Sequence, residues 1–147
     1  MNSPSPQCNI LVIEDNPGDI GLIKRAFKEM NSQDFVYMVT SGPEAMEFLF
    51  QMKQEKKSSE LKLIIMDLNL PGMSGFEVLD QIRADSNYDG IPIIVYSCSS
   101  SKEDVLRCYQ SQANSYIVKP GELHTYIDTI KALGQYWCKT VTTPERA

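Results

Sequence analysis

Five polar residues stand at the ends of the apolar runs in this chain. "NILVI" (9–13) runs into Glu14 and Asp15, and "LKLIIM" (61–66) into Asp67. "IPIIVY" (91–96) ends at Ser97, and "SYIV" (115–118) at Lys119. A carboxylate at the end of an apolar run is costly to ionise without a partner. Either a cation compensates it or the acid has chemistry to do. Brought together, Glu14, Asp15 and Asp67 make an all-oxygen set suited to a hard divalent cation, with Mg²⁺ the expected ion where phosphate is also bound. A carboxylate can also act as a nucleophile and form an aspartyl phosphate. The transferred group then needs positive charge on its oxygens. Lys119 and the cation would supply that charge, and the Ser97 hydroxyl a hydrogen bond. Asp67 is the predicted nucleophile.

These residues meet only if the intervening elements bring them to one edge. The apolar runs are continuous rather than alternating, which predicts strands buried on both faces and therefore a parallel sheet between two helical layers. Five strands are expected, at 9–13, 34–40, 61–67, 91–97 and 115–118. Helices are expected between them. The first spans 16–30, with Asn16 as N-cap, Pro17 at its first position and Ile20, Ile23, Ala26, Phe27 and Met30 recurring at helical spacing. Ser41, Gly42 and Pro43 open a second helix carrying Ala45, Met46, Leu49 and Met52, followed by the polar connection 53–60. Ser74 and Glu77 form a capping box for a third, and Ser99–Ser101 precede a fourth at 102–113. The last helix is expected over 122–137, with Leu123, Tyr126, Ile127, Ile130, Leu133 and Trp137 on one face, and an irregular tail after it. The predicted fold is a flavodoxin-like doubly wound (βα)5 unit with strand order 2-1-3-4-5. There the first and third strands flank the point where strand order reverses, and the polar strand ends share one crevice. Pro120 leaves the Lys119–Pro120 peptide open to cis or trans.

Composition fits one globular domain of 147 residues, 42% hydrophobic, with formal net charge -5. The acidic balance and the absence of a basic cluster argue against nucleic-acid binding. No apolar stretch is long enough to span a membrane. "MNSPSPQ" lacks the basic and apolar regions of a signal peptide, so a cytoplasmic protein is expected. Cys8, Cys98, Cys108 and Cys138 are widely scattered, form no CxxC pair and offer no zinc spacing with the lone His124. They are expected to be reduced thiols. His124 is expected to be exposed in the first turn of the last helix.

The segments "LVIEDNP", "IIMDLNLPGMSGFEVL", "IPIIVYS" and "SYIVKP" come in an order that resembles the receiver domains of bacterial two-component response regulators. The resemblance covers residues 8 to about 135 and implies a receiver domain over 8–137 with extensions 1–7 and 138–147. It implies Asp67 as phosphoacceptor, Lys119 as counter-ion of the phosphate, and Ser97 with Tyr116 as a switch pair. It also implies Mg²⁺ held by Glu14, Asp15, Asp67 and the Asn69 backbone carbonyl. Where many members carry two Asp, this chain has Glu14–Asp15, and the longer Glu would reach the metal through water. Gln112 stands where many receivers carry Gly. "EDNPGDIGLIKRAFKE", "MDLNLPGMSGFEVL" and "YWCKTVTTP" are similar to the stand-alone receivers that partner cyanobacterial phytochromes.

The partner this implies is a sensor histidine kinase, a phytochrome in the narrower likeness, with a further protein downstream. Because the chain ends soon after the last helix, no DNA-binding output domain is expected, and the protein is expected not to be an enzyme. A homodimer is expected through the fourth helix, fifth strand, fifth helix and tail, where Tyr109, Tyr136 and Trp137 would lie. The opposing possibility is that Trp137 folds back on its own core. Two other functions fit parts of the pattern. A haloacid-dehalogenase-like phosphatase also uses a nucleophilic Asp, but needs a second Asp two residues on, where this chain has Asn69. A phosphate-independent pseudo-receiver would have no use for the full set Asp67, Ser97 and Lys119.

Overall fold

The computed structural model describes residues 8–30 and 34–146; the predicted extension 1–7 lies outside them. Five parallel strands, β1 (Asn9–Ile13), β2 (Phe35–Val39), β3 (Leu61–Met66), β4 (Ile93–Ser97) and β5 (Ser115–Val118), form one sheet in the order β2-β1-β3-β4-β5. The helices are α1 (Pro17–Glu29), α2 (Gly42–Gln54), α3 (Gly75–Ala84), α4 (Lys102–Gln110) and α5 (Leu123–Gln135). The predicted strand order and topology are therefore observed.

Local chemistry starts these helices where expected. The side chains of Asn16, Ser41, Ser74 and Ser101 each accept a hydrogen bond from the backbone N–H three residues on. Each thereby satisfies one of the N–H groups that the first helical turn leaves without an internal partner. The fourth helix ends at Gln110 rather than 113. Gln112 has φ 69°, its N–H donates to Tyr109 O, and the Ala113 N–H donates to Cys108 O, each at 3.0 Å. This double closure needs a left-handed residue after the helix, which explains why glycine suits position 112.

Strand pleating divides the core. Leu11 and Ile13, Ile64 and Met66, Ile93 and Val95 face a layer built with α2, α3 and α4. Ile10 and Val12, Leu63 and Ile65, Ile94 and Tyr96 face α1 and α5. Each of these side chains is at most 1% exposed, and full burial of an aliphatic one contributes about 1.5–3 kcal/mol. β2 is an edge strand with Phe35 and Tyr37 exposed. Among the described residues no helix is long and apolar enough to cross a membrane.

Several expectations are corrected. Cys8 and Cys138 are joined in a disulfide, with Cα atoms 5.6 Å apart across 130 positions of sequence; only Cys98 and Cys108 are free thiols. The parallel topology returns α5 beside the start of β1, a proximity that spacing along the chain does not reveal. The tail is also more ordered than expected. Tyr136–Thr140 forms a π-helical turn, and the Arg146 guanidinium donates to the carbonyls of Leu61, Ser58 and Asn87. Trp137 is half-buried against the α1–α5 layer, so it does fold back on its own chain. Leu123, expected on one face of the last helix with Tyr126 and Ile127, is 43% exposed, whereas those two are buried. The polar connection is shorter than expected, because α2 continues to Gln54 and Ser58–Glu60 forms a 3-10 turn.

Candidate functional site

Register brings the strand ends together. Ile13 pairs with Met66, so Glu14 and Asp67, the next residues, emerge side by side; the Asp67 N–H donates to Ile13 O at 3.0 Å. Ser97 pairs with Val118, and the Lys119 N–H donates to Ser97 O at 2.8 Å. Alternation then sorts the side chains. Glu14, Asp67 and Lys119 continue the α1–α5 face, whereas Ser97 and Tyr116 belong to the other.

On the first face the Lys119 ammonium lies 2.5 Å from Glu14 Oε1, 2.9 Å from Asp67 Oδ2 and 3.1 Å from Asp19 Oδ2. The lysine side chain is only 4% exposed and that of Glu14 2%. Burial works against the lysine's charge, but the hydrogen bonds and charges of Glu14 and Asp67 hold the ammonium above its usual range. Glu14 is pushed up to about 8, by burial first and by the Asp67 carboxylate second. Its second oxygen, Oε2, is buried with no hydrogen-bond partner. Asp67 Oδ1 accepts from the Leu68 N–H at 2.6 Å and the Asn69 N–H at 3.5 Å, which fixes the carboxylate plane.

Asp19 was not among the candidates. It stands in the first turn of α1, and its Oδ1 accepts from the Tyr126 hydroxyl of α5 at 2.6 Å. Burial opposes its charge, yet the bonds from Tyr126 and Lys119 hold it below its ordinary value. Its position four residues before the buried Ile23 places it on the inward stripe of the helix, a spacing signal available in the sequence. Asp15, by contrast, is exposed. The ion pairs of the Lys119 ammonium are thus with Glu14, Asp19 and Asp67. Among the described residues no three Asp, Glu, His or Cys side chains form a ready-made metal-ligand cluster.

On the other face Ser97 is fully buried, and its hydroxyl oxygen accepts from the Ser99 N–H at 3.3 Å. The Tyr116 hydroxyl donates to Ser99 O at 2.7 Å, so Ser97 and Tyr116 both bond Ser99 in the loop after β4. Asn69 is exposed in the loop after Asp67. The Lys119–Pro120 peptide is trans, as are all others among the described residues. His124 is exposed.

Known proteins share this fold. The chain is 31% identical over 140 residues to response regulator Rcp1 of Synechocystis, covering 95% of both chains. It superposes with a TM-score of 0.86 on the phosphorylated cyanobacterial phytochrome response regulator RcpA, at 36% identity over 94% of this chain and 99% of that one. The Mn(2+)-bound form of Rcp1 gives a TM-score of 0.84 at 31% identity, over 93% and 99%. Residues 10–131 match the response regulator receiver domain, and the chain belongs to that family.

Proposed function

We propose that Asp67 accepts a phosphoryl group from a partner sensor histidine kinase, a phytochrome by likeness to RcpA, and that residues 8–137 act as a phosphorylation-switched binding module in the cytoplasm. The observation that carries this reading is the Asp67 carboxylate, its plane fixed by backbone N–H groups and one oxygen on a buried ammonium at the switch point of a parallel sheet. In the transfer, an Asp67 oxygen forms a bond to phosphorus while the bond to the donor's atom breaks, and the electron pair leaves with the donor. Lys119 keeps its proton and turns hydrogen bonds to the phosphoryl oxygens, offsetting their charge. The protein is a phosphoacceptor rather than a turnover enzyme. Asn69 supports that side of the choice, because it cannot act as the general acid a phosphatase needs there.

The residues fit a divalent cation, which we take to be Mg²⁺. Glu14 Oε2 is a buried oxygen without a partner, and three carboxylates share one ammonium. Glu14, Asp15, Asp67 and the Asn69 carbonyl would hold the ion, an all-oxygen set of the kind hard cations take. When bound, the cation supplies positive charge to the phosphoryl oxygens. Ser97 and Tyr116 act as the switch pair, since both bond the loop after β4 and a hydroxyl drawn toward the phosphate would move that loop. The exposed Leu106, Tyr109, Val118 and Tyr136 support a homodimer through α4, β5, α5 and the tail.

Incubation with acetyl phosphate and Mg²⁺, followed by intact mass, tests the assignment. One added phosphoryl group is expected, absent in Asp67→Asn and greatly slowed by EDTA. Full labelling of Asp67→Asn would move the acceptor elsewhere. Sedimentation with and without phosphorylation tests the dimer, which a persistent monomer would remove.

A further inference from the structure

A lysine ammonium carries three N–H donors on a flexible four-carbon stem, so its direction must be set by its acceptors. Here all three acceptors are carboxylates, and two of them have other duties if Asp67 is the phosphoacceptor. Asp67 Oδ2 would give up its hydrogen bond as phosphorus arrives, and Glu14 would help to hold the cation. Asp19 has neither duty. It lines a cleft of about 370 Å³ with Leu22, Cys98, Lys119, Leu123 and Tyr126, which Glu14 and Asp67 do not line. Its two oxygens are divided between Lys119 at 3.1 Å and the Tyr126 hydroxyl at 2.6 Å. Tyr126 is 4% exposed and packs edge-on against Tyr96, ring centroids 5.2 Å apart. The phenol is therefore fixed, and it fixes Asp19.

We propose that Asp19 and Tyr126 are a positioning pair: Tyr126 holds Asp19, and Asp19 holds the Lys119 ammonium aimed at the phosphoacceptor while its other two bonds are exchanged. The proposal rests on the assignment of Asp67 as phosphoacceptor. It requires no new bond-making step, because the lysine only changes hydrogen-bond partners. It also ties the ammonium to α5. The same helix leads into Tyr136, the half-buried Trp137 and the disulfide at Cys138. Since coupling is reciprocal, a partner that shifts α5 would alter phosphorylation, and phosphorylation would load α5.

The test compares wild type, Asp19→Asn, Tyr126→Phe and the double variant, using acetyl phosphate with Mg²⁺, intact mass for the rate and ³¹P NMR for the phosphorylated product. Each single variant is expected to slow phosphorylation about three- to tenfold, the range set by loss of one typical intramolecular hydrogen bond. The double variant should be no slower than Asp19→Asn alone, because both changes act through one contact. The ³¹P resonance should shift in both singles, a signature that a merely structural role would not give. Mg²⁺ affinity should be unchanged in Tyr126→Phe, which keeps every charge of the site. Tyr126→Phe keeps the ring and removes one oxygen, so it decides the matter alone if Asp19→Asn does not fold. A wild-type rate and unmoved resonance in Tyr126→Phe, or losses that multiply in the double variant, overturn the pair. If wild type takes up phosphate and the variants behave identically, only this inference falls. If wild type takes none, the assignment of Asp67 falls with it.

Discussion

Gly75 lies against the backbone of Asp67. A Cβ built on Gly75 would come within 2.5 Å of Asp67 O and 2.6 Å of Leu68 Cα, and the Gly75 N–H donates to Leu68 O at 2.9 Å. The start of α3 is thus pressed onto the loop that carries the candidate acceptor, and only a residue without a side chain allows it. Gly75→Ala should cost about 1–3 kcal/mol, the range for overpacking. It should also slow phosphorylation by displacing Asp67. Denaturant titration and the intact-mass assay would check both; an alanine variant of unchanged stability would contradict the packing.

Lys119 is the sole cation in contact with Glu14, Asp19 and Asp67 among the described residues. Lys119→Ala leaves those acids facing one another without compensation. Removing one partner of a buried pair costs about 3–5 kcal/mol. In EDTA the variant should lose stability in that range and regain much of it with Mg²⁺, whereas wild type responds less. The acids proposed to bind the metal remain, so Mg²⁺ affinity should persist. A collapse of that affinity on titration would show that the lysine, not the acids, organises the ion.

Joining Cys8 to Cys138 closes nearly the whole chain into a loop. A disulfide across so long a loop stabilises by about 2–5 kcal/mol. Cys138→Ser, or wild type under reductant, should melt at a lower temperature. Thiol titration of the unfolded, unreduced protein should find two free thiols, Cys98 and Cys108. Four free thiols in protein prepared without reductant would remove the bridge.

Glu122 caps α5. Its carboxylate accepts from the His124 and Thr125 N–H groups, which lower its pKa from 4.5 to about 2. A depressed folded-state pKa means a contribution present above the unfolded value and lost as pH falls through the folded one. Wild-type stability should therefore decline between about pH 4.5 and 2 more steeply than that of Glu122→Gln. Denaturation midpoints of the two proteins across that window give the comparison; parallel curves would show that the cap carries no such linkage.

The sequence by itself determined the strands, the parallel sheet they form and the polar strand ends. Those signals are local: continuous apolar runs, caps such as Asn16 and Ser74, and the residue that follows each strand. Parallel register carries Glu14, Asp67 and Lys119 to one edge without further instruction, because residues one step past paired positions must be neighbours. The tertiary structure alone decided which acids the lysine meets. Asp15 and Asp19 both precede or open α1, and Asp19, one helical turn before the buried Ile23, is the one that reaches Lys119 and Tyr126. The same holds for Cys8 with Cys138, for Trp137 against its own core, and for Arg146 on the carbonyls of Leu61, Ser58 and Asn87. Each joins residues far apart in the chain, where no spacing rule operates and only the packing of α5 and the tail against the sheet sets the distance.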